Sequence, residues 1–325
     1  MSKRETWEDL IEAFDSLNNK SQKDSVKILI ESGHLPKDVN PFKKNNEDLN
    51  QYDTIGLHKL LKEISWDQIN LEVEDDEPWE KINICDPQKG ENEKENYNEC
   101  VDAFANFAGR ISDDWGGGSS VFETCAWYQS YHYLPRTFWG IHILEDCWIA
   151  TAKKIYKYNP HTKTKNEAMK TAFLFYFCHE LFHFVADNTA TVLEIIKQNP
   201  NLYTDYSSQV YQKDYLNPGA TEEALANRYL YGRYKFCRIN KNFLKIILEA
   251  QPNGYRDFNK YLGNLFWEGR RILTNQILET KSSPNALLPI EQVFEILDQE
   301  QYSTGAKVPF WLHTKKGTIS KITFK

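Results

Sequence analysis

The sequence predicts an α+β protein that is predominantly helical, with a small β-sheet. Three observations carry that expectation. Apolar residues recur at helical spacing along most of the 325-residue chain. One interior segment, Thr137 to Leu144, is rich in β-formers and alternates, with Trp139, Ile141 and Ile143 on one face and Gly140 and His142 on the other. The last residues, Val308 to Leu312 and Thr318 to Phe324 around Lys315-Lys316-Gly317, read as a β-hairpin.

In order along the chain, Trp7, Leu10, Ile11, Phe14 and Leu17 mark a first amphipathic helix. Val26 to Ile30 mark a second, stopped by Gly33 and Pro36, and Ile55 to Ile64 mark a third. Between Leu71 and Asn96 ten acidic residues face three lysines, and the stretch holds Pro78, Pro87 and Gly90, so it reads as a solvated linker. A helix follows from Asn98 to Ile111, and Gly116-Gly117-Gly118 lacks the Gly-Lys-Ser/Thr ending of a phosphate-binding loop and reads as a hinge. Helices are then expected over 146–158, 165–186, 189–198, 221–236, 241–250, 258–278 and 290–299. Thr164 and Glu167 have the spacing of a capping box that opens the second of these. Asp187, four residues past His183 on the same face, either orients that ring or, with Asn188, ends the helix, and the second reading is preferred. The expected organisation is an N-terminal helical region over 1–112 carrying the acidic linker 71–96, a core over 120–240, and C-terminal helices and hairpin over 241–325 packing on that core.

Composition removes several classes of function. With 39 Lys+Arg against 46 Asp+Glu the net charge is −7, the same as the excess in residues 71–96, so a basic nucleic-acid-binding surface is not expected. The apolar run from Ala172 to Cys178 is far short of the roughly 18 residues of a membrane span, and charge near Met1 argues against a secretory signal. The expectation is a soluble cytoplasmic protein that engages neither nucleic acid nor membrane. Six cysteines without a C-x-x-C pair are expected to be reduced and to match neither a disulfide framework nor a zinc finger.

Chemistry concentrates in Cys178-His179-Glu180-Leu181-Phe182-His183. On a helix, residues four apart stand one above the other, so His179 and His183 can reach one cation. Glu180, rotated by about 100° from His179, can address a water there without binding the ion, the position of a general base. The bare H-E-x-x-H pattern arises by chance in about 1–2 % of chains of this composition, so its context matters. That context is apolar (Phe175, Phe177, Phe182, Phe184), where two imidazoles and a carboxylate cost several kcal/mol to bury unless paired or metal-bound. One zinc ion is expected, and a catalytic zinc takes three protein ligands. Glu223, in Thr221-Glu222-Glu223-Ala224-Leu225-Ala226-Asn227, supplies the third, with Asn227 on the same helical face orienting a ligand histidine from behind; Glu222 competes for the ligand role. His142, Arg228, Tyr229 and Tyr231 are candidates for stabilising an oxyanion, with no choice among them. A metzincin site would need a ligand at Thr189, which rules that class out, and Cys125 and Cys147 lack the surroundings of a deformylase cysteine.

His179-Glu180-x-x-His183 with Glu223-x-x-x-Asn227 resembles the gluzincin class of zinc metallopeptidases, and Glu223-x-x-Ala226-Asn227-x-Tyr229 is similar to a motif of the ImmA/IrrE family of bacterial intracellular metallopeptidases. The resemblance covers residues 120–240 and departs at Phe182, where that family commonly has glycine, and in a longer gap between the two helices. It implies a zincin-like catalytic domain and a zinc-dependent endopeptidase cleaving a specific protein or peptide substrate, in a regulatory or defence role. Two other readings share these residues: an inactive zincin scaffold serving binding or regulation, and a toxin-like protease effector.

Overall fold

The computed structural model describes residues 125–133, 139–197, 199–214, 217–235, 237–263, 265–280, 308–314 and 319–322. The helices expected before residue 112, the acidic linker, the glycine hinge and the helix over 290–299 lie outside them.

Strand β1 (Ala126–Gln129) pairs antiparallel with β2 (Gly140–Leu144), β2 pairs parallel with β3 (Phe310–His313), and β3 pairs antiparallel with β4 (Ile319–Ile322). Among the described residues the sheet order is β1-β2-β3-β4, which leaves β1 at an edge. At Gly140 the backbone adopts φ +125°, and a side chain there would collide with the Pro309 carbonyl, which accepts a hydrogen bond from Ile141 N at 2.8 Å. Glycine therefore lets β3 start flush against β2.

The described residues form seven α-helices: α1 (Glu145–Tyr158), α2 (Lys165–Lys197), α3 (Leu202–Tyr206), α4 (Gln212–Asp214), α5 (Thr221–Gly232), α6 (Lys241–Glu249) and α7 (Leu265–Leu278). A π-helical turn, Ser207–Tyr211, joins α3 to α4. The capping box at the start of α2 forms as expected: Glu167 N donates to Thr164 Oγ1 at 3.1 Å and Thr164 N to Glu167 Oε2 at 3.2 Å.

Helix α2 corrects the expected break at Asp187-Asn188: it runs unbroken for 33 residues, about 50 Å. Asp187 and Asn188 are buried and bonded to β1 and the residues that follow it, so they cross-link the helix rather than end it. Twenty-five of its 33 residues are buried, the mark of a helix packed on every side. Against it lie α1, where Trp148 Nε1 donates to the Met169 carbonyl at 2.7 Å, the sheet, through Phe173 on Phe310, and α5. The single helix expected over 258–278 is divided into a 3₁₀ segment (Tyr255–Tyr261) and α7, with Gly263 at φ +60° between them.

A second correction concerns the cysteines. Cys125 and Cys147 form a disulfide, with their Cα atoms 5.3 Å apart, tying the start of β1 to α1. Pairs read from sequence by C-x-x-C spacing miss such a bridge, since the fold rather than the chain brings these two together. Cys178 and Cys237 are free and buried. Among the described residues no helix is long and apolar enough to cross a membrane.

Candidate metal centre

The central helix α2 presents His179 and His183 toward α5, which presents Glu223. All three are buried. The two Nε2 atoms are 3.3 Å apart, and Glu223 Oε2 lies 3.2 Å from that of His179 and 3.6 Å from that of His183. A tetrahedral site with bonds of about 2.1 Å has donor–donor edges of about 3.4 Å, so these three atoms already form one face of such a site. Glu223 Oε2 is buried and takes no hydrogen bond in line, an arrangement that leaves it for a cation. His179, His183 and Glu223 thus form a buried group that could hold a metal ion.

Both Nδ1 atoms are turned away from the centre and bonded behind it. His179 Nδ1 meets Asn227 Oδ1 at 2.9 Å, and Asn227 Nδ2 donates to the Tyr255 carbonyl at 2.8 Å. His183 Nδ1 meets Glu222 Oε1 at 2.8 Å, and Tyr206 Oη donates to Glu222 Oε2 at 2.7 Å. With a proton on each Nδ1, each Nε2 lone pair faces the centre. Adjacent glutamates therefore take different tasks: Glu223 completes the donor set, and Glu222 orients His183. Asn227 stands behind His179, where the helical spacing places it.

Before a cation is bound, the electrostatics favour one proton beyond the two on Nδ1, and place it on His183. Burial depresses the pKa of His179, only partly offset by Glu223. Burial pulls His183 down too, but Glu223 and Glu222 outweigh it and hold this imidazole well above the usual histidine range. Burial would raise the Glu223 carboxyl, yet the His183 charge and both rings keep it far below the usual carboxylate range.

A cavity of about 80 Å³ opens over the centre. Glu180 lines it beside His179, His183, Glu222 and Glu223, and Ala126, Trp127 and Tyr128 of the edge strand form part of its wall. Tyr203, Tyr211 and Tyr255 also line it, and Tyr211 Oη donates to Glu223 Oε1 at 2.5 Å. None of the four expected oxyanion candidates lines the cavity. His142 lies on an interior strand, stacked on Trp127 and 2.8 Å from His313 Nε2. Arg228 donates to the Tyr261 carbonyl, Tyr229 packs on Phe182, and Tyr231 packs on Phe258.

The tyrosines that line the cavity or bond its carboxylates carry no readable spacing. Tyr206 and Tyr211 are five apart, about 140° around an α-helix, and only the π turn brings both to the α5 carboxylates. No family model matches the chain, and no curated protein or solved structure matches it.

Proposed function

We propose that the protein is a zinc-dependent endopeptidase of gluzincin type, with a zincin-like catalytic domain, that cleaves peptide bonds of a protein substrate. The observation that supports this best is the placing of Glu180 in the wall of the cavity above a three-donor group of His179, His183 and Glu223. Two histidines and one carboxylate with an open side suit a catalytic zinc rather than a closed structural one. Zinc held there would supply Lewis acidity, polarising a scissile carbonyl and making a water acidic.

The remaining work falls to the chain's own groups. Glu180 takes the proton of the attacking water and returns it to the departing amine. Glu222 and Asn227 keep the two imidazoles in the tautomer that points Nε2 inward. The resemblance to ImmA/IrrE proteins supports a bacterial regulatory or defence role for the cleavage.

The test pairs metal content with cleavage of a proteome extract. Wild type and Glu180→Gln should each hold one zinc, His183→Ala none, and only wild type should cleave. Unchanged cleavage by Glu180→Gln would remove the mechanism, and a zinc-loaded wild type that cleaves nothing would favour an inactive binding scaffold.

A further inference from the structure

Beyond the metal ligands, the polar face of α2 continues for three more turns. Asp187, Asn188, Thr191 and Glu194 follow His183 at steps that keep them near one side of the helix, and all four are buried. Each is bonded to β1 or to the residues that continue it. Tyr128 Oη donates to Asp187 Oδ2 at 2.8 Å. Tyr131 Oη lies 3.1 Å from Asn188 Oδ1 and 2.6 Å from Thr191 Oγ1. His132, 1 % exposed, sits between two carboxylates: Nε2 is 2.9 Å from Glu194 Oε2, and Nδ1 is 2.7 Å from Asp187 Oδ1, an ion pair out of line for a hydrogen bond. Ser130 Oγ is 3.3 Å from the same Nδ1, and Tyr203 stacks on the ring and donates its backbone N–H to Glu194 Oε1.

We propose that Asp187, His132 and Glu194 form a buried ionic clasp that fixes edge strand β1 against the His179–His183 helix, and so sets the opening of the cavity over the metal centre. Three features carry the proposal. First, nothing in the metal centre uses these groups, yet they form a paired charge cluster that burial makes costly to assemble. Second, the clasp joins the helix that holds two metal donors to the strand that walls the cavity, and Asp187 bonds both Tyr128 on that strand and His132 just beyond it. Third, among the described residues β1 pairs with β2 alone, so its position over α2 is set largely by side chains. His132 is a positioning residue: it touches no metal donor and acts through β1.

The clasp rests on side-chain geometry alone, while its effect on substrate rests on the peptidase reading above. The first test therefore needs neither metal nor cleavage. In the metal-free protein, His132→Gln should speed amide hydrogen exchange of residues 126–129 at least tenfold relative to α6. Leu244→Ala, a core truncation in α6 remote from β1, should not favour β1. Should His132→Gln fail to fold, Glu194→Gln keeps the shape, removes one charge, and should move β1 exchange the same way by a smaller factor.

The second test loads zinc. His132→Gln should leave equilibrium zinc affinity within threefold of wild type while zinc loss to a chelator runs several-fold faster, since entry and exit both pass the cavity mouth. On peptide substrates KM should rise with kcat little changed. Exchange at β1 that rises no more in His132→Gln than in Leu244→Ala, or chelator kinetics identical to wild type, would overturn the clasp. Absence of any zinc in wild type, with β1 exchange responding as expected, would instead count against the peptidase reading and leave the clasp standing.

Discussion

Two neighbouring carboxylates, Glu222 and Glu223, would divide the work of holding a cation between donation and orientation, and variants should separate the two. Glu223→Ala removes a donor and should abolish stoichiometric zinc binding. Glu222→Gln leaves the donors in place and should weaken zinc by ten- to a hundredfold while still reaching one ion at saturation, as read by competition with a chromophoric chelator. The metal-free centre also makes a prediction about protons. Because Glu223 and Glu222 hold His183 protonated above the usual range, zinc binding at pH 7 should release about one proton, measurable by calorimetry in buffers of different ionisation enthalpy. The grouping of His179, His183, Glu223 and Asn227 was legible in the sequence because four-residue spacing on a helix places side chains on one face. The placing of Glu222 behind His183 was not, since adjacent residues on one helix differ by about 100° and only the packing of α5 on α2 decides what the second carboxylate meets.

At the level of elements, the π turn Ser207–Tyr211 and the unbroken α2 carry the most consequence. Removing Ser208, an exposed residue of the π turn, should leave Tyr206 and Tyr211 four apart in ordinary helix, about 40° around it, and so keep both facing the α5 carboxylates. Helix content by circular dichroism and zinc affinity should both change little; a zinc affinity that falls tenfold would show that the π geometry itself is needed. Neither element was readable beforehand, for related reasons. Asp187-Asn188 has the composition of a helix end, and only burial beside Tyr128 and Tyr131 turns those side chains inward. Extra-residue turns leave no apolar period to find, and β1 (Ala-Trp-Tyr-Gln) shows no apolar–polar alternation and no β-branched residue. By contrast β2 and the terminal hairpin were legible, because alternation with β-branched and aromatic residues survives even in strands of four or five residues.

For the molecule as a whole, stability depends on pH and on thiol chemistry. Burial alone would lower the His132 pKa, but Glu194 and Asp187 raise it from 6.5 to about 10. A folded-state pKa above the unfolded one contributes stability that is fully present below pH 6.5 and fades as pH rises toward 10. The stability gap between wild type and His132→Gln should therefore narrow from pH 6 to pH 10 in urea titrations. The Cys125–Cys147 bridge closes a loop with a sequence separation of 22, worth about 3 kcal/mol of chain entropy. Reduction, or Cys147→Ser, should lower the melting temperature by several degrees without releasing zinc, because no metal donor lies in that loop.

Strand β3 enters the middle of the sheet from the far end of the chain: Trp311 Nε1 donates to the Trp139 carbonyl from 172 residues away. Every group of the metal centre has left the ribosome long before that strand exists. Newly made chain must therefore carry β2 without its β3 partner while the 165 residues between the two strands (145–309) are made, and the long loop makes the last pairing slow. Completion of the sheet should therefore wait for Phe310 to His313 rather than for the site. A chain cut after residue 307 should accumulate as aggregate, with all three metal donors present and no sheet to support them.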